Sequence, residues 1–180
     1  LGLDPDAFLV ACVGRLVPQK DPLTLAAAAR RLPAGTQVAF AGEGPLRAEL
    51  EAEVAGLPSV RLLGFVSPAS TVYAAADVVC LPSRWEGLPY AALEAFSQGR
   101  PVVAARIDGT VDLVRHGETG LSFAPGDEQG LAVALSELAA EPARARALGA
   151  AAQALVETEF SEAEAGRRLG AVYRAICAQP

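Results

Sequence analysis

Methionine does not occur anywhere in this sequence, and histidine and tryptophan occur once each. A translated chain starts with methionine, so the 180 residues are expected to be a piece excised from a longer protein. Basic residues are scarce beside acids, 15 Lys and Arg against 21 Asp and Glu, for a formal charge of -6. A nucleic-acid binder normally presents a basic face, so this balance argues against that class. Any phosphate site has to be built locally. Long apolar runs are missing as well: the hydrophobic content of 52% is swollen by alanine, and nothing approaches the roughly 18 consecutive residues of a membrane span. The opening Leu1-Gly2-Leu3-Asp4-Pro5-Asp6 has neither the basic start nor the apolar core of a secretory leader. Cysteine is limited to Cys12, Cys80 and Cys177. An odd count, with two members inside apolar runs, argues for buried thiols in a reducing compartment rather than a disulfide framework or a metal site. A cytoplasmic location is expected.

What is present is a regular alternation, long enough to make one domain with a proper core. Phe8 to Val13 is a short apolar run, and Asp21-Pro22 then opens an alanine-rich helix with Asp as cap and Pro in the first turn. The unit repeats: Gln37 to Ala41 before a helix at Leu46 to Val54; Val60 to Leu63 before Pro68 to Ala76; Asp77 to Leu81 before Pro89 to Gln98. Pro101 to Ala105 precedes a short helix near Val111 to Val114, and Gly120 to Ala124 makes a sixth strand. From Glu128 to Ala178 the sequence is almost wholly helical. Continuous apolar strands alternating with helices read as a parallel sheet covered on both faces, an α/β Rossmann-like three-layer sandwich.

In open parallel sheets ligands bind beyond the carboxyl ends of the strands. The residues there are Gly14, Arg15 and Lys20 after the first strand; Gly42, Glu43 and Gly44 after the second; Gly64 and Phe65 after the third. Ser83 to Gly87 follow the fourth and Arg106 to Gly109 the fifth. Within SRWEGLPYAALEAF (Ser83 to Phe96), Glu86 and Glu94 stand on either side of a helix start. Pro89 suits the first helical turn, leaving the N–H groups of Gly87, Leu88 and Tyr90 free for a phosphate. Glu94, five residues beyond Pro89, lies about 7.5 Å further along the helix. A carboxylate suits a vicinal diol, not a phosphate. A diphosphate with a sugar on each side satisfies all three features, and Arg15 and Lys20 would supply its counter-charge.

The segments VGRLVPQKD (Val13 to Asp21), GEGP (Gly42 to Pro45), AADVVCLPSRWEGLPYAALEAFSQGRPVVA (Ala75 to Ala104) and HGETGLSFAPGD (His116 to Asp127) resemble the C-terminal donor-binding domain of the retaining glycosyltransferases of family 4. The resemblance covers nearly the whole chain, in order. It implies one half of a GT-B fold, a single nucleotide-sugar-binding domain over 1-180 that is largely helical over 127-178, with the N-terminal acceptor domain absent. The parent enzyme would transfer a hexose from a nucleoside diphosphate sugar, UDP ahead of GDP or ADP, to an acceptor hydroxyl with retention of configuration. No metal and no cofactor beyond that co-substrate would be needed.

Carried over, the pattern makes Arg15, Lys20 and Glu86 the catalytic set: the basic pair holds the diphosphate and steadies the departing nucleoside diphosphate, and Glu86 bonds the transferred sugar. Gly14, Gly42, Gly87, Leu88 and Pro89 would line the donor site, Glu94 would grip the ribose, and Gly64, Phe65 and Val66 would sit beside the base. Where family members carry two glycines followed by an acid three residues on, this chain reads Asp108-Gly109-Thr110-Val111-Asp112, which weakens a role for Asp112. With half the cleft missing, the domain alone is expected to be inactive, and any membrane contact would belong to the absent half. Apolar surface on the Ser161 to Ala178 helix, packed there in the parent, would be exposed in the fragment. Two other functions stay open, a GT-B epimerase acting on UDP-sugars and a nucleotide-sugar-binding module without chemistry.

Several features are read more plainly. Gly42-Glu43-Gly44 imitates a dinucleotide fingerprint, but Arg47 stands where its third glycine belongs. Asp4-Pro5-Asp6 makes a turn rather than a metal site. His116 is a loop residue without a nearby nucleophile, and Trp85 is a partly buried aromatic that could shape the pocket.

Overall fold

The structure, a computed structural model, describes residues 2 to 177; the expected helix end at Ala178 lies outside the described residues. The strands are β1 (Phe8–Val13), β2 (Thr36–Ala41), β3 (Val60–Gly64), β4 (Val78–Leu81), β5 (Val102–Ala105) and β6 (Gly120–Phe123). They form one six-stranded sheet in the order β3-β2-β1-β4-β5-β6, every pairing parallel. Strand residues alternate between the two faces, and both faces are dry. Val10, Cys12, Phe40, Val78 and Cys80 face one core, with α1 (Pro22–Ala29), α2 (Arg47–Glu53) and α6 (Glu128–Ala140) over it. Ala11, Val79, Leu81, Val102 and Ala104 face the other, under α3 (Ser70–Ala75), α4 (Tyr90–Ser97) and α7 (Pro142–Glu159). Burial on both faces is why these strands read as unbroken apolar runs rather than alternating ones. The fold is Rossmann-like, as expected.

Three local expectations are corrected. The fifth helix, α5 (Asp108–Val111), starts three residues early. Thr110 sets it: its hydroxyl accepts from Ile107 N–H and donates to Ala105 O at 2.6 Å, tying the helix directly to the end of β5. Asp21 stands at the N-cap of α1 without a side-chain cap bond, and its carboxylate is used elsewhere. Pro89 is the N-cap of α4 rather than a first-turn residue. The long helical end is three helices. Pro142 cannot extend α6, and Glu141 before it leaves the helical region, while Phe160 and Ser161 separate α7 from α8 (Glu162–Cys177). None of the α8 residues is buried. Among the described residues no helix is long and apolar enough to cross a membrane.

Candidate functional site

The chain leaves β1 towards β2 on one side and β4 towards β5 on the other, so the loops after these two neighbouring strands part and open a crevice. A cleft of about 460 Å³ lies there, walled by Gly14, Arg15, Lys20, Glu86, Leu88, Pro89 and Glu94 among others. An apolar slot of about 340 Å³ adjoins it through Val13, Gly14, Arg15 and Ala69 and is completed by Gly42, Phe65 and Val66. Ten of the twelve residues expected at the site therefore share two joined clefts. Gly64 and Gly87 are the exceptions. Gly64 lies outside the walls, holding the turn before Phe65 at φ 68° while its carbonyl accepts from Gly42 N–H. Gly87 lies in the exposed loop before α4.

Close backbone approach makes the crevice. A Cβ at Gly42 would fall 1.8 Å from the Gly14 carbonyl oxygen, and one at Gly109 would fall 2.3 Å from that of Glu86. Side chains from the two loops then lock together across the switch point. Gln19 donates to the Trp85 carbonyl at 3.1 Å and accepts from Arg84 N–H through its own carbonyl at 2.8 Å. The Arg84 guanidinium pairs with Asp21 at 3.0 Å. Asp21 is buried and left-handed (φ 45°, ψ 52°), and the same carboxylate oxygen accepts the Thr24 hydroxyl. Asp tolerates that backbone better than most residues, and the double anchor holds it there.

The charges of the cleft are arranged unequally. Lys20 Nζ lies 2.5 Å from Glu86 Oε1, which also accepts the hydroxyl of buried Ser83 at 2.7 Å. The Glu86 side chain is only 7% exposed, and its Oε2 has no partner among the described residues. Arg15 is exposed and makes no ion pair among the described residues, so its guanidinium is uncommitted. Glu94 Oε2 accepts from the Tyr73 hydroxyl at 2.9 Å. Burial, and after it the bond to Glu94, pushes the Tyr73 phenol far above its ordinary value; it remains a donor. The N–H groups of Gly87, Leu88 and Tyr90 have no acceptor among the described residues, whereas Ala92 and Leu93 already turn back onto the Pro89 carbonyl. The cleft therefore offers one free cation, one cation shared with a carboxylate, three open amides and two oriented carboxylates. That set matches a dianion flanked by hydroxyls.

Gln19, Asp21, Tyr73, Ser83 and Arg84 support the site; Ser83 and Arg84 were expected at this edge of the sheet without a role, and Gln19, Asp21 and Tyr73 were not expected at the site. No sequence signal connects them: Gln19 meets Trp85, and Lys20 meets Glu86, across 66 positions. Other residues lie apart from this chemistry. His116 Nδ1 accepts from Ser122 N–H at 3.0 Å, a loop-to-strand tie. Asp112 is exposed at the end of α5. Trp85 is 58% exposed at a neighbouring recess with Arg84, Arg106 and Asp108. Asp4 takes the Asp6 N–H in the turn expected there. Among the described residues no group of three or more His, Cys, Asp and Glu is placed to hold a metal ion.

Residues 7–141 match the family described as glycosyl transferases group 1. The chain is 36% identical over 156 residues to sulfoquinovosyl transferase SQD2 of Arabidopsis thaliana, covering 83% of this chain and 30% of that protein. It is 37% identical over 167 residues to D-inositol 3-phosphate glycosyltransferase of Rhodococcus opacus (strain B4), covering 84% and 37%. The chain thus spans about a third of the length of these curated relatives. The crystal structure of Anabaena Alr3699/HepE in complex with UDP and glucose superposes with a TM-score of 0.87 at 25% identity, over 94% of this chain and 49% of that one.

Proposed function

The chain belongs to the group 1 glycosyl transferases, and from that premise we propose that it is the donor-binding half of an enzyme that moves a hexose from a nucleoside diphosphate sugar to an acceptor hydroxyl. The observation that carries this reading is the meeting of Arg15, Lys20, Glu86 and Glu94 on one cleft beside the open amides before α4. Arg15 and Lys20 receive the diphosphate, with the Gly87, Leu88 and Tyr90 amides at the other side. Lys20 then shares its charge between phosphate and Glu86. As the glycosidic bond breaks, negative charge grows on the departing diphosphate, and cations already in place stabilise that state more than the ground state. Glu86, fixed through Oε1 by Lys20 and Ser83, turns Oε2 towards the sugar hydroxyls. Glu94 accepts the ribose diol, and the base enters the apolar slot beside Phe65 and Val66.

Retention of configuration and independence from metal belong to the same proposal, the second supported by the two cations. UDP is the preferred nucleotide because the Anabaena relative is complexed with UDP; GDP and ADP are the alternatives. The acceptor would enter between this half and an N-terminal half, a division supported by relatives of two to three times this length. The enzyme would work in the cytoplasm, with any membrane contact made by the other half, and the half alone would not turn over. Calorimetric titration with UDP, GDP and ADP, with and without magnesium, tests the site. One diphosphate should bind selectively without metal, and Arg15→Ala and Glu94→Ala should each weaken it about 10-fold. Failure of all three to bind at millimolar concentration would sink the reading.

A further inference from the structure

We propose that Tyr73 is a positioning residue for ribose recognition: from inside the core its phenol holds the Glu94 carboxylate in the orientation that faces the cleft. The inference rests on the reading that Glu94 grips the ribose. Tyr73 is 1% exposed, in α3, and its ring packs in the same core as Ala95 and Phe96 of α4. Its position is therefore rigid, and its hydroxyl reaches the rim of the cleft. Glu94 is the opposite case. It rises from an exposed helix face, where a glutamate with three rotatable bonds would sample many rotamers and lose that freedom on meeting a ligand.

The bond of 2.9 Å from the Tyr73 hydroxyl to Glu94 Oε2 removes much of that freedom beforehand. A phenol donates one proton, and each carboxylate oxygen can accept two. Oε2 keeps a free acceptor position and Oε1 keeps both, enough for the two hydroxyls of a vicinal diol. Burial keeps the phenol protonated, so the bond does not loosen at ordinary pH. The consequence is selectivity: a fixed carboxylate discriminates a ribonucleotide from its 2′-deoxy counterpart, whereas a mobile one adapts to either.

Titration of the 180-residue chain with UDP and with 2′-deoxy-UDP tests this. Tyr73→Phe keeps the ring and its packing, and circular dichroism checks the fold. It should weaken UDP about 5- to 10-fold and 2′-deoxy-UDP less than about 2-fold. Glu94→Ala removes the carboxylate, and in that background Tyr73→Phe should change neither affinity, because the phenol acts only through Glu94; if Tyr73→Phe does not fold, Tyr73→Leu, which also lacks the hydroxyl, takes its place. Equal losses for both nucleotides in Tyr73→Phe, or no loss, would overturn the positioning role. If instead the unaltered chain shows no preference for UDP and Glu94→Gln changes nothing, the ribose role of Glu94 fails first. Should the unaltered chain bind neither nucleotide, the donor-site reading and this inference fall together.

Discussion

A methyl group at position 109 would sit 2.3 Å from the Glu86 carbonyl oxygen, so the glycine after β5 acts on the site by being small. Gly109→Ala should push the Glu86 loop outward, costing about 1–3 kcal/mol in urea unfolding and weakening a UDP-sugar more than UDP in the same titration. The two cations make a second contrast. Arg15 is exposed and makes no ion pair among the described residues, so Arg15→Ala should leave stability within about 0.5 kcal/mol while nucleotide affinity falls. Lys20 neutralises a carboxylate that is 7% exposed, so Lys20→Ala strands a nearly buried charge and should cost about 1–3 kcal/mol as well as affinity. Equal stability of the two variants would show that the Lys20–Glu86 pair contributes nothing to the fold. At this scale the spacing of Glu86 and Glu94 was legible because one helix start carries both. Tyr73, 21 positions from Glu94, and Ser83, whose hydroxyl could have served any neighbour, were not.

Among the elements, β1 and β4 place Cys12 and Cys80 on one face of adjacent strands, both buried, while Cys177 on α8 is exposed. Burial pushes the Cys12 thiol up to about 12, against a smaller downward pull from Lys20, and Cys80 moves in the same direction. The unfolded chain releases these protons from about pH 9, the folded one later, so above that pH the folded state binds more protons. Stability is therefore full below pH 9 and declines as pH rises towards 12, for Cys12 by up to about 4 kcal/mol. Urea unfolding across this range should show the decline, with a shallower slope in Cys12→Ala. A thiol reagent at pH 8 should modify Cys177 alone until the chain unfolds. Strand positions were readable to within a residue or two because runs buried on both faces leave little ambiguity. The start of α5 was misread because Thr110 takes its partner at Ala105 O from the preceding strand, a tertiary bond with no periodic trace.

For the molecule as a whole, α8 is the one described helix with no buried residue. Leu169, Val172, Tyr173 and Ile176 are each more than half exposed, and no side chain of the helix is buried. Truncation after Ser161 should shift the melting temperature by less than about 4 °C, the size of a change under 1 kcal/mol; a larger loss would mean α8 covers part of the core in solution. The sequence by itself determined that this is a parallel α/β sandwich with polar groups at the carboxyl ends of its strands, because apolar period, caps and turns are local properties. It also determined the pair of carboxylates around α4, because their spacing is carried by one element. Only the tertiary structure decided that β1 and β4 are neighbours, and so that Arg15 and Lys20 share a cleft with Glu86. It alone decided which cation makes no ion pair among the described residues, which Glu86 oxygen is taken by Lys20 and Ser83, and that Tyr73 bonds Glu94. The contacts through Lys20 and Tyr73 join residues 21 to 66 positions apart, and only the packing of one element on another brings them within hydrogen-bonding distance.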